Sequence, residues 1–398
     1  MKKRFIIWDN PAQAIITLMV VLIALGAVNI LSATFVDTQA PFSFFGKYVA
    51  IALGGFVAIW GIRKIGYVRL LAYKPLRHAA IIFMFGLLLW TDISGVNVKG
   101  AARWIGYGSF RFQPSEIAKV VVIFIAAYYL SEAQRLGRRV SIFKMETYTL
   151  KLLIPSLIFS AMVLKQPDMG TAAIIISLAF GMLIIGGLPL VEICSVFAVG
   201  GAGIAALAVA APYRLERFNA WFNPWAYAQK EGYQTVQSLI AIGSGGWTGT
   251  RWGEGAGKFL YLPEAHTDFA FAIFCQENGF LGALLLIFIF TLLAVSFIYV
   301  IRNARDFQGF LLASGVTLLI IGQAFANMAM VCGMLPVIGV PLVFISYGGT
   351  SMLISMAAIG LLLSVYDAEV HPERLDAAPP DVRRSKLRVM RTGRRSER

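Results

Sequence analysis

Apolar residues run through this chain in blocks, and polar residues collect in the gaps between them. Ten blocks stand out by window hydropathy, at roughly 12–35, 44–62, 78–91, 113–131, 150–166, 169–187, 189–211, 268–301, 307–331 and 350–367. About twenty apolar residues in a row are what a helix needs to cross the hydrocarbon of a bilayer. The pattern therefore predicts an all-α polytopic membrane protein with ten transmembrane helices. Its longest polar gap, 212–267, predicts a large extracytoplasmic loop between the seventh and eighth helices. The middle of that loop, TVQSLIAIG, reads as a short amphipathic or re-entrant helix. The first block follows MKKRFIIWDN and is too long for the apolar core of a cleaved signal peptide, so it predicts a retained first helix. Residues 1–367 then make one transmembrane unit, and 368–398 a basic cytoplasmic tail without fixed structure.

Composition agrees with this reading. The 398 residues are 58% hydrophobic and 14% charged, where soluble domains carry about 25% charge. Cys194, Cys275 and Cys332 all fall in apolar segments with no metal-like spacing, which predicts buried free thiols. Charge adds the orientation. With the N-terminus inside, 24 of the 35 Lys and Arg residues fall on inner loops and the tail, as the bias of cytoplasmic loops requires. Both termini are expected in the cytoplasm. The tail, RRSKLRVMRTGRR, is expected on anionic headgroups rather than on nucleic acid.

The remaining eleven cations lie on or near the outer side, and several crowd the membrane edge, among them Arg103, Arg111, Lys119, Arg214 and Arg217. Ordinary solvated loops and an outer anion site are both open readings. In GAARWIGYGSFRFQPSEIAK, Pro114 suits a helix start and Glu116 and Lys119 share one helix face, either satisfying each other or facing a site. In KQPDMGT, Asp168 is either the cap of the next helix or a carboxylate facing an external cavity. GEGAGKF lacks the first glycine and the hydroxyl residue of a nucleotide loop, so no nucleotide is expected. LPEAHTDFAF puts Glu264, His266 and Asp268 at the lip of the eighth block, with Glu277 inside it. Ionisable groups at such depth are functional candidates by default. NMAMVCGMLPVIGVPLVFISYGGTS interrupts an apolar run with Gly, Pro and Ser, which predicts irregular backbone walling a groove.

Taken in order, GAARWI, QPSEIAK, QPDMGT, QSLIAIGSGG, LPEAHTDFAFA and PLVFISYGGTS resemble the SEDS family (shape, elongation, division and sporulation), the FtsW and RodA glycosyltransferases. The resemblance spans nearly the whole chain and leans to the division enzyme FtsW. It implies ten transmembrane helices and a large fourth extracellular loop in the bacterial inner membrane. It implies polymerisation of lipid II, a disaccharide-pentapeptide on undecaprenyl pyrophosphate, for division or elongation. It places the essential carboxylate on Asp268, and the family's QPSExxK and QPD residues on Glu116, Lys119 and Asp168. It also implies a class B penicillin-binding protein as crosslinking partner, beside other division or elongation machinery. Three positions depart from the family pattern: Ala270, Gln276 where an acidic pair is usual, and Thr350 in GTS.

On this reading Asp268 is the general base on an acceptor hydroxyl. Arg103, Arg111, Lys119, Arg214 and Arg217, with His266 nearby, form the pool that binds substrate and stabilises the departing pyrophosphate. A divalent cation, Mg or Mn, held by Asp168 or Glu116 is the alternative source of positive charge. Two rival functions stay open, a flippase or transporter for lipid-linked precursor and a non-catalytic division scaffold.

Overall fold

The structure, a computed structural model, describes residues 10–34, 41–98, 101–107, 110–209, 216, 219–250 and 262–371. The described residues are mainly helical, with one small sheet. In chain order the helices are α1 (Pro11–Thr34), α2 (Pro41–Ile65), α3 (Tyr67–Ala72), α4 (Lys74–Ser94), α5 (Pro114–Arg135), α6 (Thr147–Lys165), α7 (Met169–Ile185), α8 (Leu190–Val209), α9 (Tyr233–Ser244), α10 (Ala270–Asn303), α11 (Phe307–Val331) and α12 (Gly349–Val370). Over its described residues, each apolar block of the sequence maps onto one of these helices. Among the described residues, seven (α1, α2, α4, α6, α10, α11 and α12) are long and apolar enough to cross a membrane. α7 and the described apolar stretch of α8, Leu190–Ala202, are shorter. α5 carries Glu116 and Lys119 within its first two turns.

The bundle has an inside and an outside. The apolar stretches of α11 and α12 are 61% and 72% buried, against 22% for α2 and α4, so α11 and α12 form the core and α2 and α4 face outward. α5 joins the core through Val122, Ile123, Ile125, Ala126 and Ala127. Lipid chains are as apolar as leucine, so close packing and polar ties must hold such helices together. α2 and α12 show both. Gly55 lies against Met356 and Gly360 against Ile59, and Arg63 grips Asp367 through two bonds of 2.9 and 2.7 Å.

Three features were not foreseen. A three-stranded antiparallel sheet, β1 (Val96–Val98), β2 (Ala101–Tyr107) and β3 (Phe110–Phe112), fills the connection before α5. α10 is also not one rod: it breaks at Gly279, whose φ of 66° and ψ of −168° lie outside helical space. And the thiols are not all buried. Cys275 is, but Cys194 and Cys332 are exposed on the surface of the bundle. The GEGAGKF stretch and residues 372–398 of the tail lie outside the described residues, and the last helix runs on past 367 into the expected tail, to Val370.

The break in α10 is filled by the turn that follows α9. A broken helix frees backbone groups that lipid cannot satisfy. Here Phe280 N–H donates to Gly246 O at 2.9 Å and Leu281 N–H to Trp247 O at 3.1 Å. In return, Gln276 O accepts from Thr250 N–H at 2.9 Å. The GSGGWTG turn is thus spliced into α10 between its upper piece, Ala270–Asn278, and its lower piece.

Candidate active site

The turn Leu262–Phe269 carries Glu264, His266 and Asp268 onto the head of α10. Its backbone is held at alternate residues by three different elements. His266 O accepts from Tyr347 N–H at 2.8 Å, Asp268 O from Asn327 Nδ2 at 2.7 Å, and Ala270 O from Asn29 Nδ2 at 3.1 Å. Within the turn, Glu264 takes a positive φ of 57° and its carboxylate accepts from the Thr267 hydroxyl at 2.7 Å. Asp268 itself is half-buried. One of its carboxylate oxygens stands about one van der Waals contact from where a Gly339 side chain would begin, 3.5 Å. The His266 ring sits between Phe44 and Tyr347, at 6.0 and 6.3 Å.

Gly339 belongs to the irregular segment between α11 and α12. Several of the sequence motifs reach this segment. Two amides one turn apart on α11 hold it: Asn327 Nδ2 also donates to Val340 O at 2.6 Å, and Gln323 Nε2 donates to Pro341 O at 3.1 Å. The start of α7 presses on it as well. A side chain at Gly170 would begin 1.7 Å from Ile338 O, so only glycine allows this approach.

The candidate residues divide on this frame. Asp168 is the cap of α7: one oxygen accepts from Thr171 N–H at 3.1 Å and the other from Gln113 Nε2 at 3.0 Å. Arg103, on β2, closes over the same turn, donating to Gln166 O at 2.9 Å and to Pro167 O. Glu116 and Lys119 are buried rather than outward. Lys119 Nζ lies 2.8 Å from Glu116 and 3.0 Å from Gln323 Oε1, with the lysine 2% exposed. The pair thus feeds into the amide that holds Pro341. Arg111, on β3, is exposed, and its carbonyl and Gln113 N–H meet the Thr350 hydroxyl at the head of α12. Arg214 and Arg217 lie outside the described residues. Sequence reasoning missed Asn29, Gln323 and Asn327. Their signal was there: lone amides in otherwise apolar helix blocks, two of them four residues apart.

Beside the turn is a cavity of about 430 Å³, bordered by Trp221, Lys230, Glu231 and Tyr233 of the long loop before α10, by Pro263 and by Pro336. It adjoins the segments that carry Asp268 and Gly339. Glu277, further down α10, is buried and accepts from Ser32 at 2.6 Å.

The described residues do not present a ready metal centre. No group of three or more His, Cys, Asp or Glu comes together among them. The two carboxylates first suspected of holding one are engaged, Asp168 by two hydrogen bonds and Glu116 by Lys119.

The sequence profile of the cell cycle proteins FtsW, RodA and SpoVE matches residues 12–371. The chain belongs to this FtsW/RodA/SpoVE family. It is 34% identical over 366 residues to stage V sporulation protein E of Bacillus subtilis, covering 89% of this chain and 97% of that one. It is 36% identical over 357 residues to a probable peptidoglycan glycosyltransferase FtsW of Geobacter, covering 88% and 95%. Its fold matches a chain of a peptidoglycan synthase complex that coordinates polymerisation and crosslinking, with a TM-score of 0.76 at 23% identity over 92% of this chain and all of that one. RodA of Thermus thermophilus matches with a TM-score of 0.65, 23% identity and coverage of 92% and 98%. Of the motifs recognised in the sequence, QPDMGT, LPEAHTDFAFA and PLVFISYGGTS meet at the segment around Gly339, QPSEIAK reaches it through Gln323, and QSLIAIGSGG fills the break in α10.

Proposed function

We propose that this protein is a peptidoglycan glycosyltransferase that polymerises lipid II at the outer face of the bacterial inner membrane, in the division role of its FtsW relatives. One observation carries the reading. A half-buried carboxylate, Asp268, stands at the head of α10 on a backbone held at three alternate carbonyls, beside a cavity, and this reading sets that place at the outer edge of the membrane. A lipid-linked sugar presents its reacting end at that level while its chain stays among lipids.

Asp268 takes the proton of the acceptor hydroxyl as that oxygen attacks the donor sugar. General-base help of this kind is worth about 10²–10⁴-fold. It requires the carboxylate within hydrogen-bond reach, and the three tethers supply that placement. The bond to the lipid pyrophosphate breaks as the glycosidic bond forms. Exposed Arg111, with Arg214 and Arg217 of the outer loop, supplies charge for the leaving group. Glu116, Lys119 and Asp168 act through the frame: they hold Pro341 and the head of α7 rather than touch substrate. Both termini lie in the cytoplasm, ten helices cross the membrane, and a class B penicillin-binding protein crosslinks the product.

The test is polymer formation from lipid II by purified wild type and Asp268→Ala, each with and without the partner transpeptidase. Wild-type polymer and none from a folded Asp268→Ala is the expected result. A parallel run with chelator reads whether a divalent cation takes part. Equal polymer from both proteins would remove Asp268 as the base. Polymer from neither, partner included, would favour the flippase reading, tested by translocation of labelled precursor.

A further inference from the structure

The opposite end of α5 holds a cluster that the glycosyltransferase reading does not use. Arg77, in the first turn of α4, is only 5% exposed, and its guanidinium lies 3.4 Å from the ring centre of Tyr128 on α5. Its Nε is buried without a hydrogen-bond partner, and Arg77 has no carboxylate within ion-pair reach among the described residues. A buried cation at the positive end of a helix dipole is costly by itself. Tyr128 stands edge-on to Tyr129 at 5.4 Å, and exposed Lys151 of α6 lies 5.8 Å from the Tyr129 ring and 5.2 Å from Tyr148. Of the nearby carboxylates, Glu132 is taken by Arg135 at 2.5 Å, Glu192 by Ser141 and the Ile142 and Phe143 amides, and Glu146 stands at the start of α6, against the cations Arg77, Arg135, Arg138, Arg139, Lys144 and Lys151. The net charge of the cluster is therefore positive.

A second observation comes from the connection between α5 and α6. It exposes Arg138 and Arg139 beside large apolar side chains, Leu136 at 52%, Phe143 at 61% and Met145 at 68%. Apolar groups and cations side by side at a helix end suit the boundary between headgroups and acyl chains. Tyrosines with basic residues mark the same level.

We infer that the α4–α5–α6 end of the bundle is a binding site for the phosphate of an anionic phospholipid headgroup. Arg77 forms its floor, Tyr128 and Tyr129 its wall, and Lys151 its rim. The α5–α6 connection inserts Phe143 and Met145 among the acyl chains beside it. The inference is independent of Asp268: the site lies at the far end of α5 from Glu116, roughly 18 Å from it along the helix to Tyr128.

The test uses the purified full chain in neutral detergent. Equal amounts of phosphatidylglycerol and phosphatidylcholine with the same acyl chains are added, and retained lipid is counted by native mass spectrometry. Wild type should retain phosphatidylglycerol in preference. Arg77→Gln should lower that retention at least about tenfold, as loss of a charged hydrogen-bond donor does. Lys151→Gln should lower it about fivefold. Phosphatidylcholine retention should stay unchanged in both. Because Arg77→Gln can fail to fold, the exposed Lys151→Gln and an Arg138→Gln/Arg139→Gln pair carry the test on their own. Equal retention of the two lipids by wild type, or undiminished phosphatidylglycerol on these exposed variants, overturns the inference. Displacement of the lipid by glycerol phosphate at equal concentration would make the ligand a free phosphate and overturn the lipid assignment.

Discussion

Gly279→Ala should uncouple the Asp268 end of α10 from the rest of the protein. The residue's φ of 66° and ψ of −168° are open to glycine alone, and forcing alanine there costs on the order of 1–3 kcal/mol. The added methyl would also begin 2.3 Å from Gly249 N and 2.6 Å from the Trp247 carbonyl. Both are backbone, so the GSGGWTG turn must retreat. Retreat breaks the bonds from Phe280 and Leu281 to Gly246 and Trp247, at about 1–3 kcal/mol for each donor left unmet. The combined cost is on the order of 5 kcal/mol, comparable to the lower range of whole-protein stabilities. Opening the splice costs less than unfolding the bundle, so the splice opens. The upper piece, Ala270–Asn278, then loses its lower anchor and shifts, carrying Asp268 at its head against its tethers. A displacement near 1 Å at a reacting group costs about 10²-fold in rate. The assay is the rate of lipid II polymerisation, with thermal unfolding in detergent alongside. Gly243→Ala is the control, since a side chain there meets nothing within 4 Å. Wild-type rate and unchanged unfolding in Gly279→Ala would refute the reasoning.

Three further outcomes follow from the frame. Lys119→Met should destabilise by about 3–5 kcal/mol by leaving Glu116 buried alone, and Glu116→Leu/Lys119→Met should recover most of it in thermal unfolding; additive losses would show that the pair is not coupled. Asp168→Ala should cost about 1 kcal/mol as a lost cap, and Asp168→Asn should restore both stability and polymerisation; an inactive but stable Asp168→Asn would place the charge in the chemistry. Asn327→Ala frees the carbonyls of Asp268 and Val340, so kcat should fall at least about tenfold with KM nearly unchanged, read from initial rates over a range of lipid II; an equal rise in KM alone would count against a positioning role.

Much of this was legible because a membrane permits few solutions. Long apolar runs must be helices, so the segments 12–35 through 350–367 found theirs, and α9 appeared where TVQSLIAIG suggested it. Pro114 marked the start of α5, and Asp168 marked that of α7. What window hydropathy averages away was lost. The strands around Arg103 are only three to seven residues long, and Gly279 sits in a run otherwise fit for an unbroken helix. Lys119 read as an outward cation because it is two turns from a loop, yet its neighbours on α11 turn it inward. Charge drew attention first, and the amides Asn29, Gln323 and Asn327 that organise the site carry none.

That absence of charge has a consequence. The face bearing Asp268 meets whatever acidity the surroundings impose. Its three tethers are two carboxamides and one backbone N–H, gripping three backbone carbonyls. None of these groups gains or loses a proton between mild acid and mild base. These three grips on the Asp268 backbone therefore persist as the acidity of the medium changes.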